Sequence, residues 1–189
     1  MKKLISILLA AVMVFAFAAC GNSSGTNGGN DAAVTEPLEV LTKAWEGLPE
    51  DEKFPAAGGD MTTPVDNAPG KFDVSDTDNL SYMLSFPAES ADLIDSAASL
   101  THMMNMNTFS CGAYHLKNAA DAATLAQALR DSIQSRQWMC GFPDKLVVIT
   151  INEVVVSMYG HEDLINAFRD QITGAYTAAV INYDEAINF

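Results

Sequence analysis

The segment THMMNMNTF, residues 101–109, places one histidine and three methionines within six consecutive positions. Thioether and imidazole groups are the soft ligands that Cu(I) favours, so this segment is the first candidate for a metal site. The apolar spacing of residues 88–104 predicts a helix, which puts Met104 on the apolar side with Leu100 and turns His102 to the opposite side. The methionines then do not converge on one point. We therefore predict that Met104 packs in the core, and we expect neither a metal nor a cofactor.

Two other combinations have the residue types of nucleophilic catalysis. Asp95, Ser99 and His102 share one face of the predicted helix, but this is its ordinary polar face and no oxyanion donors accompany them. Cys111 and His115 share one face of a predicted strand, where ~3.3 Å per residue separates them by roughly 13 Å, too far for a nucleophile and its base. We predict no catalytic residue.

The first twenty residues, MKKLISILLAAVMVFAFAAC, have the pattern of a secretory signal: two lysines, an apolar run and small residues before a cleavage point. The ending Ala18-Ala19-Cys20 is similar to the lipobox of bacterial lipoproteins, in which the cysteine is diacylated and becomes the mature N-terminus. We predict that residues 1–19 are the signal peptide and that Cys20 carries the lipid. The protein is then anchored at the extracellular face of the cell membrane.

The residues that follow Cys20 are rich in Gly, Ser and Asn, so residues 20–34 are predicted to be a flexible tether. Residues 35–189 are long enough for one domain with its own core. The whole chain has 10 Lys and Arg against 24 Asp and Glu, and the signal removes Lys2 and Lys3 but no acid. Such an acidic mature chain repels phosphates, which excludes nucleic acid as a partner.

The periodicity of residues 35–189 predicts an α+β fold, a two-layer α/β sandwich in which helices pack on a four-stranded, mainly antiparallel sheet. Pro37 marks the start of the first helix, and Asn118 with Asp121 resembles a capping box. The first predicted element is a helix within 35–49 that starts near Pro37 and stops at Gly47-Leu48-Pro49. It is followed by a loop at 49–78, a strand at 79–86, a helix at 88–104, a strand at 108–116, a helix at 119–138, a hairpin at 145–160 that turns at Asn152-Glu153, and a helix at 161–181.

Cys111 and Cys140 form an even pair outside the cytoplasm, where disulfides persist. The strand from Cys111 rises about 23 Å and the helix at 119–138 returns about 30 Å, which brings Cys140 back near the start of the strand. These lengths predict a disulfide between the two cysteines. The alternative is that both are free, small buried hydrophobes.

Two long runs, LSFPAESADLIDSAASLTHMMNMNTFSCGAYHLKNAADAATLA and QWMCGFPDKLVVITINEVVVSMYGHEDLINAF, resemble an uncharacterised lipoprotein family of clostridial-type Firmicutes, a domain of unknown function. Some members carry the label bacteriocin transport accessory protein, which implies a thioredoxin-like redox helper. Cys111 and Cys140 lie 29 positions apart rather than in the Cys-x-x-Cys spacing of such helpers. The resemblance supplies no catalytic residue.

These observations predict a non-catalytic accessory of the cell envelope or of a transport system, tethered to the membrane by its lipid, that binds a protein partner or a small ligand. Two alternatives remain open. One is a thiol-redox accessory that uses Cys111 and Cys140. The other is an envelope hydrolase whose site residues come from the loop at 49–78.

Overall fold

The computed structural model describes residues 33–188, so Cys20 and the predicted signal lie outside the described residues. Within this range, no helix is long and apolar enough to span a bilayer. The α-helices are α1 (Pro37–Gly47), α2 (Thr77–Leu84), α3 (Ala122–Ser135) and α4 (Glu162–Ala175). The strands are β1 (Ala56–Gly58), β2 (Val65–Asp66), β3 (Gly70–Phe72), β4 (Ile94–His102), β5 (Phe109–Leu116), β6 (Lys145–Ile151), β7 (Val154–Gly160) and β8 (Ala179–Ala186). Two 3₁₀ turns, Ala88–Leu93 and Ala119–Asp121, precede β4 and α3.

The strands form one sheet in the order β2-β1-β4-β5-β7-β6-β8. β3 pairs with the part of β4 that does not pair with β1. All pairings among the described strands are antiparallel. The predicted α+β class and antiparallel sheet are confirmed. The predicted number of four strands is wrong, because the sheet has eight. The additional strands are β1–β3 in the predicted loop, β4 in a predicted helix and β8 at the C-terminal end.

Helices cover both faces of the sheet, so the layers are helix, sheet and helix rather than the two predicted layers. On one face, α4 packs on the β-branched side chains of β6 and β7, and α1 packs beside α4 on β4 and β5, with Phe168 and Leu41 buried at the centre. On the other face, α2 and α3 pack around Tyr114 and Leu129. The central strands are therefore buried on both faces, and all seven residues of β7 are buried.

Two neighbouring segments have the opposite structure from the predicted one. Residues 79–86, predicted as a strand, belong mostly to α2, whose first turn is capped by the Asp76 carboxylate accepting a hydrogen bond from the Asn79 N–H at 2.9 Å. Residues 94–102, predicted as a helix, form β4. Its apolar residues fit a helical spacing because β4 is buried on both faces, and a strand buried in this way loses the alternation that normally identifies it.

The predicted helix at 161–181 extends beyond the end of α4 into the first residues of the last strand, β8, for which no strand is predicted. Helix α4 ends at Ala175, and the chain then pairs with β6 in register Ile149↔Ile181. β8 ends the strand order, and its residues Val180 and Ile181 are exposed.

The other predicted elements are confirmed. The first helix begins with Pro37, β5 occupies the predicted strand, and α3 follows Asn118, whose carboxamide oxygen accepts a hydrogen bond from the Ala120 N–H. The hairpin β6–β7 turns at Asn152, which adopts the left-handed conformation with φ 52°. Asparagine tolerates this conformation better than most residues, and this explains why the turn forms without glycine.

The predicted loop at 49–78 is organised around the buried carboxylate of Asp60. One of its oxygens accepts hydrogen bonds from the Thr62 hydroxyl at 2.6 Å and from the N–H groups of Thr62 and Thr63 at 2.8 Å. The other accepts from the Asp73 N–H at 3.2 Å. These bonds, the Thr62 side chain first, lower the pKa of Asp60 to about 2.

This low pKa predicts a specific loss of stability in acid. Because the pKa in the folded state lies below the ordinary 3.8, the stabilisation is complete above pH 3.8 and is lost as the pH falls through about 2. We expect the wild type to lose up to about 2 kcal/mol more than an Asp60→Asn variant between about pH 5 and pH 2. Urea denaturation at each pH measures the free energy of unfolding. Asp66→Asn, on exposed β2, is the control and should follow the wild type. Parallel curves for the wild type and Asp60→Asn would contradict this role of Asp60.

The structure overturns the predicted burial of Met104. β4 ends at His102, and the following turn leaves the Met104 side chain 79% exposed. We now expect Met104→Ala to change the free energy of unfolding by no more than about 0.5 kcal/mol. Leu100→Ala, a fully buried position on the same strand, should cost about 2–5 kcal/mol. Equal losses for the two variants in chemical denaturation would show that Met104 is packed after all.

Candidate functional site

An open cleft of about 1050 Å³ lies between two walls on the second helical face of the sheet. One wall is α2 with the 3₁₀ turn that follows it, and the other is α3. This volume is at the upper end of the range for small-molecule sites, about 300–1,000 Å³. The residues that line the cleft are Ser81, Tyr82, Ser85, Phe86, Pro87, Ala88, Glu89, Thr124, Gln127, Ala128, Asp131, Ser132, Ser135 and Arg136.

The α2 wall depends on an unusual helix end. Ser85 follows the last residue of α2 in the left-handed conformation, φ 55° and ψ 30°, a position that glycine normally fills. The next N–H, that of Phe86, donates back to the Leu80 carbonyl at 3.4 Å, and the Ser81 hydroxyl donates to the Phe86 carbonyl at 2.8 Å. The chain is thereby turned sharply, so that Phe86 enters the core beside Tyr114.

Arg136 joins this turn to α3 and to the sheet. Its guanidinium donates hydrogen bonds to the Ser85 hydroxyl at 2.5 Å, to the Tyr82 carbonyl at 3.0 Å and to the Tyr159 hydroxyl at 3.2 Å. It also lies over the Trp138 ring, 5.1 Å from the ring centroid. A cation at the carboxyl end of α2 is electrostatically favourable, and it satisfies a carbonyl of the last turn. Arg136 therefore holds the two walls of the cleft in place.

The α3 wall presents polar side chains that have room to bind something else. Thr124, Gln127 and Ser132 follow helical spacing along the cleft, while Leu125 and Leu129 on the opposite side are buried in the core. Within residues 33–188, the side chains of Thr124, Gln127 and Ser132 make no hydrogen bond to the protein. Each can donate and accept a hydrogen bond, so this wall offers unsatisfied groups of both kinds.

Apolar surface alternates with these polar groups. Tyr82 projects from α2 with 60% of its surface exposed, and Phe86, Pro87 and Ala88 continue the same wall. Ala88 and Ala128 are too short to fill the space between the walls. The cleft therefore combines an aromatic side chain at its surface with hydroxyl and amide groups, which is the composition of a site that binds a small polar molecule.

Three charged side chains line the cleft, Glu89, Asp131 and Arg136. Asp131 accepts a hydrogen bond from Arg130 at 2.9 Å, and Arg130 also binds Glu185 of β8. Glu89 makes no ion pair with the described residues. Neither histidine nor cysteine lines the cleft. Among the residues that line the cleft, no nucleophile is paired with a base.

The two cysteines predicted to pair are free thiols in different surroundings. Cys111 is fully buried on the face that α1 and α4 cover, where burial raises the pKa of its thiol well above the usual range. Cys140 is exposed in the loop after α3, a helix that covers the opposite face. The structure therefore disfavours the disulfide, and the pairing stays a prediction for experiment.

The loop of Cys140 is fixed against the turn that carries the methionines. Asn105 donates a hydrogen bond to the Cys140 carbonyl at 2.9 Å, and Asn107 donates to the Met139 and Gly141 carbonyls at 3.0 and 3.1 Å. Cys140 itself has a left-handed backbone, φ 61°. These bonds hold the Cys140 backbone at the surface and explain why the loop adopts this position.

The predicted helix that placed Asp95, Ser99 and His102 together does not exist. On β4, Asp95 and His102 are about 23 Å apart along the strand at ~3.3 Å per residue, and the buried Ser99 hydroxyl donates to the Gly59 carbonyl at 2.7 Å. His102 stacks on Phe54, with 5.5 Å between ring centroids. Burial, followed by the nearby His161, lowers the pKa of His102. Ser99 and His102 therefore contribute to the packing of the fold.

His115 is bound to carboxylates rather than to Cys111. Its Nδ1 lies 2.6 Å from an Asp95 carboxylate oxygen, and its Nε2 lies 3.6 Å from a Glu153 oxygen. This cluster connects the β6–β7 turn to β4. Among residues 33–188, no three His, Cys, Asp or Glu side chains come close enough to hold a metal ion.

Sequence reasoning missed the cleft because it assigned the α2 wall to a strand. The missed residues include Tyr82, Gln127 and Arg136. The segment Asp76–Asn79, DTDN, has the residue types of a helix start, and this signal could have identified α2. The position of Arg136 follows from tertiary packing, so no local pattern indicates it.

Comparisons with known proteins add no relative: no family model matches the chain, and neither the curated proteins nor the solved structures contain a match. The functional argument therefore depends on the residues of this chain.

The different burial of the two cysteines predicts their reactivity. In native protein recovered from membranes, Cys140 should react with Ellman's reagent at once, whereas Cys111 should react only after denaturation, because its thiol is buried and protonated. A Cys140→Ser variant should show no thiol before denaturation and one afterwards. Denatured, unreduced wild type without any free thiol would contradict this result and establish the disulfide.

Proposed function

We propose that the protein is a lipid-anchored binding accessory of the cell envelope or of a transport system, which holds a small polar ligand in the cleft between α2 and α3 at the extracellular side of the membrane. The single observation that carries the binding role is the open cleft, whose α3 wall has hydrogen-bonding side chains without protein partners. Groups of this kind make their hydrogen bonds with water or with a ligand.

The N-terminal sequence supports the location. Lys2 and Lys3 precede an apolar run that ends in Ala18-Ala19-Cys20, and a Gly- and Ser-rich stretch follows. The run of about 16 residues is short for a bilayer span, which needs about 20. The resemblance to lipoproteins labelled as transport accessories is the reason for including a transport system among the partners of this proposal.

The two alternative functions have less support. A thiol-redox accessory needs an accessible, reactive pair of cysteines, whereas Cys111 is buried under α1 and α4. A hydrolase with residues from the 49–78 loop needs a nucleophile or an activating base there. The central acid of that loop, Asp60, is buried and binds four donors of its own loop, so it serves the structure of the loop.

The anchoring part of the proposal is tested by Cys20→Ala. We expect the variant to lose membrane retention, because two acyl chains on one residue give stable anchoring and the described residues offer no membrane span. Fractionation of cells followed by an alkaline wash of the membranes measures it. Retention of Cys20→Ala after the wash would contradict the lipid anchor and identify the apolar run as a span.

The binding part is tested by filling the cleft. The full chain in nanodiscs, labelled with ¹⁵N, is mixed with the low-molecular-mass fraction of a cell-envelope extract, and amide shifts at the cleft residues are expected. Ala128→Trp should abolish these shifts, because Ala128 faces the cleft. Ala123→Trp, exposed on the same helix outside the lining, is the matched control and should retain them. Absence of shifts in the wild type, or shifts that survive Ala128→Trp, would contradict the proposal.

A further inference from the structure

The groups that remain available in the cleft select one class of ligand. Thr124, Gln127 and Ser132 both donate and accept hydrogen bonds. An anionic ligand would be matched by donors alone, and a cationic ligand by acceptors alone. A ligand that carries hydroxyl groups has the same dual character as these side chains. The α3 wall is therefore complementary to a neutral, polyhydroxylated molecule.

The charges favour the same class. The donors of Arg136 are directed to Ser85, Tyr82 and Tyr159, and Asp131 is bound to Arg130. Two charged side chains of the lining, Glu89 and Arg136, make no ion pair with the described residues. With Asp131 the lining therefore has two acids and one base, on a chain with a formal net charge of −14. Phosphorylated or carboxylated ligands would approach against this field.

The apolar surface of the cleft completes the match. Tyr82 presents an exposed aromatic ring with a polar tip, and the exposed Ala88 adds apolar surface to the same wall, behind which Phe86 and Pro87 are buried. A pyranose ring has an apolar C–H face and a polar rim of hydroxyl groups, so it can place one side on this wall and the other on α3. Aromatic residues are well suited to such mixed contacts.

The dimensions fit a ligand longer than one ring. The cleft-lining residues of α3 extend from Thr124 to Ser135, which is about 16 Å at ~1.5 Å per residue. The cleft is open along this length. A chain of sugars can therefore lie beside α3 and leave the cleft at its ends.

We propose that the ligand of the cleft is a neutral oligosaccharide, with Tyr82 under the face of one sugar ring and Gln127 hydrogen-bonded to hydroxyl groups. This inference rests on the proposed binding function and specifies its ligand. The extracellular location provides access to envelope glycans.

In the test, cellotetraose, maltotetraose and tetra-N-acetylchitotetraose are each titrated into the full chain in nanodiscs, and isothermal titration calorimetry measures the binding. At least one of the three should bind, and Tyr82→Ala should weaken that binding at least tenfold. Gln127→Ala provides a second variant on the other wall and should weaken it severalfold. Phe142→Ala is the matched control, because Phe142 is exposed to the same 60% but lies outside the cleft. Circular dichroism melting of each variant verifies that it is folded.

The outcomes separate this inference from the function on which it rests. Failure of all three sugars to bind, or binding that Tyr82→Ala and Gln127→Ala leave unchanged, overturns the saccharide assignment. Glucose 6-phosphate and triglycine are titrated in parallel. Binding of either one in the cleft, without binding of the sugars, overturns the saccharide assignment but leaves the proposed binding function intact, since that function is judged by the effect of Ala128→Trp.

Discussion

The burial of the central strands on both faces is the constraint on which the rest of the structure depends. β5, β6 and β7 carry apolar side chains on each side of the sheet, so each side needs its own cover. Helices α1 and α4 supply one cover and leave Val156 and Phe168 in a closed core. The second cover, α2 and α3, seals the sheet beneath it, but its two helices do not fill the space between them above the sheet. The cleft is thus a consequence of how the second face is covered.

The geometry of the second cover depends on a short helix and one arginine. α2 has eight residues, which is marginal for a helix without tertiary contacts. Asp76 satisfies its first turn, and Arg136 satisfies its last turn while binding the strained Ser85. The same side chain reaches Tyr159 of β7, so the cleft wall is tied to the most buried strand of the sheet. The site is in this way connected directly to the core.

The elements that the sequence predicts correctly are those with a regular apolar period and a clear boundary. α1 has Pro37 at its start, α3 follows Asn118, and the β-branched runs of β6 and β7 flank Asn152. The failures have physical causes. β4 is rich in alanine and serine and is buried on both faces, so its apolar spacing resembles that of a helix.

The candidate site was less accessible to prediction than the fold. Its walls come from segments about fifty residues apart, and one of these was assigned to the wrong kind of element. The residues that sequence inspection favours, His102, Cys111 and Met104, carry reactive side chains, but the structure uses them for packing or leaves them in a surface turn. The free hydrogen-bonding groups of the cleft belong to Thr124, Gln127 and Ser132, residue types that attract no attention until the structure places them together on one wall of the cleft.

The open side of β8 matters for the behaviour of many copies on one surface. A terminal strand has unpaired backbone N–H and C=O groups with which another chain can form hydrogen bonds. The exposed Val180 and Ile181 increase the tendency of β8 to associate in this way. Asp184 and Glu185 follow on the same strand, held by ion pairs to Lys145 and Arg130. Under the proposed lipid anchor, copies are confined to a membrane plane and meet more often than copies free in solution. The negative charge of the whole chain opposes such contacts between copies.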